Sequence, residues 1–187
     1  MSNLFQTLEI EAFRAGIKPR TKESMEWFRR KATQLGRVGS SIMNDESLKL
    51  QKSMEDPEGK MYMFFYDPKH KETLPYYDKF PLILMMGPAK GGFYGLNLHY
   101  MPPVLRAKVL DAVLSEDNEK VALRRIPKKY IGPMIKHYLT SNVKSRFALV
   151  DKPEWEIATF LPTAQFDSSK AKVTASRVYT DSKRMIK

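Results

Sequence analysis

The chain contains no cysteine, so disulfides, thiolate nucleophiles and cysteine-built metal sites are excluded. That composition fits assembly in a reducing compartment. Histidine is scarce too, with only His70, His99 and His137 in 187 residues. None pairs with another histidine or an acid at the spacing of a helical metal site. His99 alternates with apolar residues at a strand end and reads as a hydrogen-bonded structural histidine. No Gly-x-Ser-x-Gly elbow occurs. Asp67 and Asp78 flank a proline-bearing loop and suit turn and cap bonds better than acid–base work. No apolar run approaches the roughly eighteen residues that would span a bilayer. The opening MSNLFQTLEIEAFRAG lacks the basic-then-apolar layout of a secretory signal. No catalytic, cofactor-binding or metal-ligating residues are expected, and no membrane partner.

What is present is a folded composition, 42% apolar and 28% charged, with a net charge of +11. Length and composition suit one ordinary domain with a real core and helical extensions. The charge is lopsided. Residues 61–119 are close to neutral, whereas residues 120–187 hold 15 of the 32 basic side chains and only 5 of the 21 acidic ones. Such a basic end suits a polyanion or an acidic protein surface, and a solvated tail would carry the same pattern.

Four of the nine glycines fall in MMGPAKGGFYG, residues 85–95. A phosphate-binding P-loop needs Gly-Lys-Ser/Thr at its end, but here Lys90 precedes Gly91 and Gly92 and Phe93 follows them. A dinucleotide fingerprint needs a helix after the glycines, and GFYGLNLHY reads as a strand. The glycines therefore predict a hairpin turn that folds FPLILMM back on GFYGLNLHY.

Around that hairpin the periodicities predict the other elements. Leu4, Phe5, Leu8, Ala12 and Phe13 form one face of a first helix, and Met25, Phe28, Ala32 and Leu35 one face of a second. A polar linker with at most a short helix follows. KMYMFFY is dense enough for a short strand buried on both faces, and DPKHKETLPYYDK reads as an ordered loop. Pro102 and Pro103 pre-organise a helix through VLRAKVLDAVLS. Another helix is expected to start near Pro133 with Ile135, Tyr138 and Leu139 inward. KSRFALVD is a strand candidate, KPEWEIATFLP a short helix or irregular segment, and the last twenty residues an extended basic tail.

The runs GKMYMFFYDPKHKETLPYYDKFPL, GGFYGLNLHYMPPVLRAKVLD and VKSRF resemble a small virion protein of the large contractile-tailed, T-even-like bacteriophages. The resemblance covers roughly residues 59–111, with echoes at Lys144–Phe147 and Trp155–Pro162. It implies a non-enzymatic structural protein of the tail, in its baseplate or hub, and supplies no catalytic residues.

Together these features predict an α+β fold. A small antiparallel sheet or partly open β-barrel is flanked by helices, with an N-terminal helical extension and linker over 1–58, a core domain over 59–162 and a basic C-terminal tail over 163–187. The function expected first is a structural component that joins neighbouring subunits of the tail baseplate. Its partners would be other tail and baseplate proteins, and its place the virion, with the host cytoplasm during assembly. The alternative is a DNA-binding virion protein that guides or protects genome ends. Arg124, Arg125, Lys128, Lys129, Lys136, Lys144 and Arg146, interleaved with Tyr130, Tyr138 and Phe147, would serve it. Tyr138 and Phe147 also fit a core. The partner-binding candidates are Arg29, Arg30, Arg124, Arg125, Lys128, Lys129, Lys183 and Arg184.

Overall fold

Few short runs have as many large apolar groups as the one after Lys60, and it becomes the middle of a sheet. The computed structural model describes residues 4–18, 21, 23–24, 27, 49–51, 54–160, 163–169 and 172–186. Strand β1 is Lys49–Gln51, β2 Met61–Met63, β3 Tyr77–Asp78, β4 Leu82–Ala89, β5 Gly92–Asn97, β6 Ile135–Leu139, β7 Phe147–Val150 and β8 Phe166–Asp167. The main sheet is antiparallel and open, in the order β1-β7-β2-β4-β5-β6, and β3 pairs separately with β8.

Period-two alternation in β2 sends its side chains into two different cores. Met61 and Met63 join Leu82, Leu84 and Leu96 under the helices. Tyr62 and Phe64 face the other way, into an aromatic cluster with Phe93, Tyr138 and Phe147. There Phe64 meets the other three rings edge-on at centroid distances of 5.3 to 5.7 Å, the geometry that the ring quadrupole favours.

Among the described residues the helices are α1 (Leu4–Arg14), α2 (Pro103–Leu114), α3 (Glu119–Arg125), α4 (Lys128–Ile131), α5 (Trp155–Phe160) and α6 (Ala175–Ile186). Leu8 and Ala12 of α1, Val109, Leu110 and Val113 of α2, Trp155 and Ile157 of α5, and Val178 of α6 all enter the first core. The α+β class, the open sheet and its flanking helices are as the sequence predicts.

The glycine-rich stretch is the β4–β5 hairpin, with Ala89 opposite Gly92. Gly91 takes φ +71° in the turn, where a Cβ would be strained. Gly92 has a second reason to be glycine: a Cβ there would lie 1.8 Å from the Tyr138 carbonyl oxygen of β6.

Three expectations need correction. The helix expected from Pro133 is strand β6. Pro133 opens only a 3-10 turn over Gly132–Met134, and Ile-Lys-His-Tyr-Leu then pairs with the edge of β5, as β-branched and aromatic residues favour. The C-terminal end is not extended but helical. Thr174 caps α6 by accepting from the Arg177 N–H, and the buried stripe contains only Val178 and Ser182, too sparse and polar to stand out. GFYGLNLHY leaves strand geometry at Leu98, where Leu98–Tyr100 turn as a 3-10 segment. The second helix expected around Met25–Leu35 lies almost wholly outside the described residues.

Candidate nucleic-acid interface

The eight candidate cations separate into three groups. Arg29 and Arg30 lie outside the described residues. Arg124 and Arg125 end α3, where cations complement the helix dipole, but both are engaged. Arg124 donates to Glu58 at 2.9 Å and Arg125 to Glu116 at 2.7 Å. Lys128 and Lys129 on α4, and Lys183 and Arg184 in the last turn of α6, are exposed. No ion pair involves them among the described residues. Helices α4 and α6 touch, so these four cations belong to neighbouring elements. Tyr130 beside them is 48% exposed, and the Lys129 ammonium lies 4.8 Å from its ring centroid.

Helix α6 owes its position to an unusual anchor. Arg106 of α2 is buried, and no carboxylate forms an ion pair with it among the described residues. It donates to the carbonyls of Met101, Thr159 and His99 at 2.9, 3.0 and 3.3 Å, and to the Tyr179 hydroxyl of α6 at 2.7 Å. Burial pulls its guanidinium below the usual arginine range.

Beneath the sheet end sits a closed polar network. His99 Nδ1–H donates to Asp78 Oδ2 at 2.6 Å, and His99 Nε2 pairs with the Thr163 hydroxyl at 2.8 Å. Asn97 donates from its Nδ2 to Asp78 and to the Tyr138 hydroxyl, and its Oδ1 accepts the His99 N–H. Burial alone would raise the Asp78 carboxyl. The neighbouring His99 and the hydrogen bonds from His99, Asn97 and the Phe80 N–H outweigh it and hold the group below its ordinary value. Hydroxyl, imidazole and carboxylate stand in the order of a hydrolytic triad. Yet Thr163, His99 and Asp78 are at most 3% exposed. The network fastens β3, the end of β5 and the segment before β8 together. The expected turn bond of Asp78 is present, from the Phe80 N–H to Oδ1 at 3.1 Å; its larger task, holding His99, was missed.

Next to this network opens a pocket of about 240 Å³, walled by the 74–78 loop, the 133–138 segment and the Ser182–Met185 side of α6. Five tyrosines line it, with Lys136 and His137. Lys136 is half-buried, its ammonium 4.2 Å from the Tyr100 ring centroid, and burial pushes it down to about 8. Among the candidate cations Lys136 stood only in the wider basic interleave, because its place on a strand facing tyrosines from distant loops has no local signature. Tyr138 and Phe147 are core residues. Lys144 and Arg146 are exposed on the loop before β7. Among the described residues no cluster of three His, Asp or Glu side chains could hold a metal ion, and no helix is long and apolar enough to cross a membrane.

The model of the family of the phage T4 terminal DNA protecting protein matches residues 5–182. The chain belongs to that family. The match extends well beyond the central motifs, over most of the 187-residue chain. The T-even-like kinship expected from those motifs therefore stands, but the baseplate role attached to it does not. The family is named for protection of terminal DNA, which agrees with the alternative, a protein that guards genome ends. The baseplate role came with the resemblance, and a basic surface fits a subunit connector and a DNA-end binder equally well. No curated protein and no solved structure matches the chain.

Proposed function

We propose that this protein binds the ends of linear phage DNA and shields them, without turning over a substrate. The observation that carries this is the family match across residues 5–182. The charge pattern supports it, since the excess of cations lies in residues 120–187. The exposed Lys128, Lys129, Lys183 and Arg184 have no ion-pair partner among the described residues and offer their charges to a ligand. Such cations displace condensed counterions from phosphates irrespective of base sequence. Tyr130 adds an exposed ring that could cover a terminal base. Shielding needs occupancy alone, so this function requires no catalytic group. In this account the protein accompanies the genome in the virion and meets it in the host cytoplasm during assembly.

The test is the salt dependence of binding to a linear duplex. Four phosphate contacts give a log–log slope of about −3.6, roughly a hundredfold loss of affinity between 50 and 200 mM salt. Replacing Lys128, Lys129, Lys183 and Arg184 by alanine should flatten that slope by about 0.9 per residue. Replacing Arg124 and Arg125 should change it less. Binding insensitive to salt, or a slope unchanged in the fourfold variant, would count against the proposal.

A further inference from the structure

We propose that the tyrosine-lined pocket is a socket for the terminal nucleotide of a DNA strand, with the base against the tyrosine wall and its phosphate on Lys136. This rests on the reading of the protein as a DNA-end binder and deepens it by naming how an end is told from the middle of a duplex.

A half-buried ammonium ordinarily has a carboxylate beside it, because removing a charge from water is unfavourable. Lys136 has none among the described residues; the shift it suffers comes from burial alone, and its close neighbour is the face of Tyr100. The one carboxylate lining the pocket, Asp78, is committed to His99 and Asn97. The fold thus holds a desolvated cation beside an open space with no anion to match it among the described residues, an arrangement typical of functional sites.

The walls select the class of anion. The pocket is smaller than the roughly 300–1,000 Å³ that encloses a drug-sized ligand, so it suits one base with its phosphate. Tyr77 is its half-buried aromatic face on β3. The Tyr66 hydroxyl accepts the Leu139 N–H at 3.1 Å and keeps its own hydrogen to offer. Ser182 and Met185 of α6 line the pocket as well, and the exposed Lys183 and Arg184 belong to the same turn of that helix. Within a continuous duplex each base is stacked on both sides. A terminal base is stacked on one side only and is the least costly to extrude. A socket for one base beside a phosphate track therefore discriminates in favour of ends.

The test compares two duplexes of one sequence, a blunt linear form and a form closed by hairpin loops at both ends, by fluorescence anisotropy with the full chain. Wild type is expected to bind the linear form at least tenfold more tightly. Lys136→Met should abolish that preference and raise the melting temperature, because it removes a desolvated charge while keeping the stem. Lys136→Arg should retain part of the preference. Adding free mononucleotide should compete for the linear form; inorganic phosphate at the same concentration should not. Equal wild-type binding to both forms, or a Lys136→Met variant that keeps the preference or melts lower, would overturn the socket while leaving DNA binding intact. No binding to either form would overturn the underlying reading and the socket with it.

Discussion

Replacing Arg106 by methionine should free the basic C-terminal helix from the domain. The guanidinium makes four hydrogen bonds, three of them to backbone carbonyls of Met101, Thr159 and His99 and one to Tyr179. A hydrogen bond to a charged group contributes about 1.5–3 kcal/mol, and an orphaned buried acceptor costs about 1–3 kcal/mol. Part of that loss is regained, since methionine removes the desolvation penalty of a buried cation and fills most of the volume. The net effect should be about 3–5 kcal/mol, comparable to breaking a buried ion pair by removing one partner. For a chain of this size that lowers the melting temperature by roughly 10 °C. Thermal unfolding followed by circular dichroism measures the total. Amide exchange within Ala175–Ile186 reads the local effect, because Tyr179 loses its donor. DNA affinity should fall with it, since Lys183 and Arg184 lose their fixed place. A melting temperature changed by less than about 2 °C, with α6 exchange unchanged, would refute the anchor.

The Asp78 network makes a pH prediction. Its carboxyl is held below the ordinary value of 3.8, so the stability it supplies is complete above that pH and is lost as pH falls below it. Wild type should therefore lose melting temperature on acidification below about pH 4, whereas Asp78→Asn should start lower at neutral pH and respond more weakly over the same range. Parallel profiles for the two proteins would refute the coupling. At the hairpin, Gly92→Ala places a methyl against the Tyr138 carbonyl and should cost about 3 kcal/mol by overpacking, read by urea denaturation. Gly132→Ala meets nothing within 4 Å at a right-handed helical position and should be neutral or stabilising by up to about 1 kcal/mol. Equal costs at the two glycines would contradict the contact.

The elements read correctly from sequence are those where a local rule and the tertiary environment agree. KMYMFFY has large apolar groups on both alternations, and both faces of β2 are buried. Pro103 stands at the first position of α2, as its fixed φ favours. The misread elements depend on partners remote in sequence. Residues 135–139 become a strand because β5 offers an open edge; nothing within the pentapeptide requires it. Helix α6 is held by Arg106, some seventy residues away, so its own apolar content understates its attachment. The site was half legible for the same reason. Exposed cations can be counted in a sequence, and Lys128, Lys129, Lys183 and Arg184 were. The ion pairs that occupy Arg124 and Arg125, and the tyrosines gathered around Lys136, exist only once the chain has folded.

The central claim is that occupancy of an end is enough to protect it. The direct measurement is the survival of linear duplex DNA under an exonuclease that enters only at ends, as protein is titrated in. The account predicts protection that saturates at one molecule per end and is independent of duplex length. Degradation at the unprotected rate under saturating protein, or protection that demands coating in proportion to length, would contradict it.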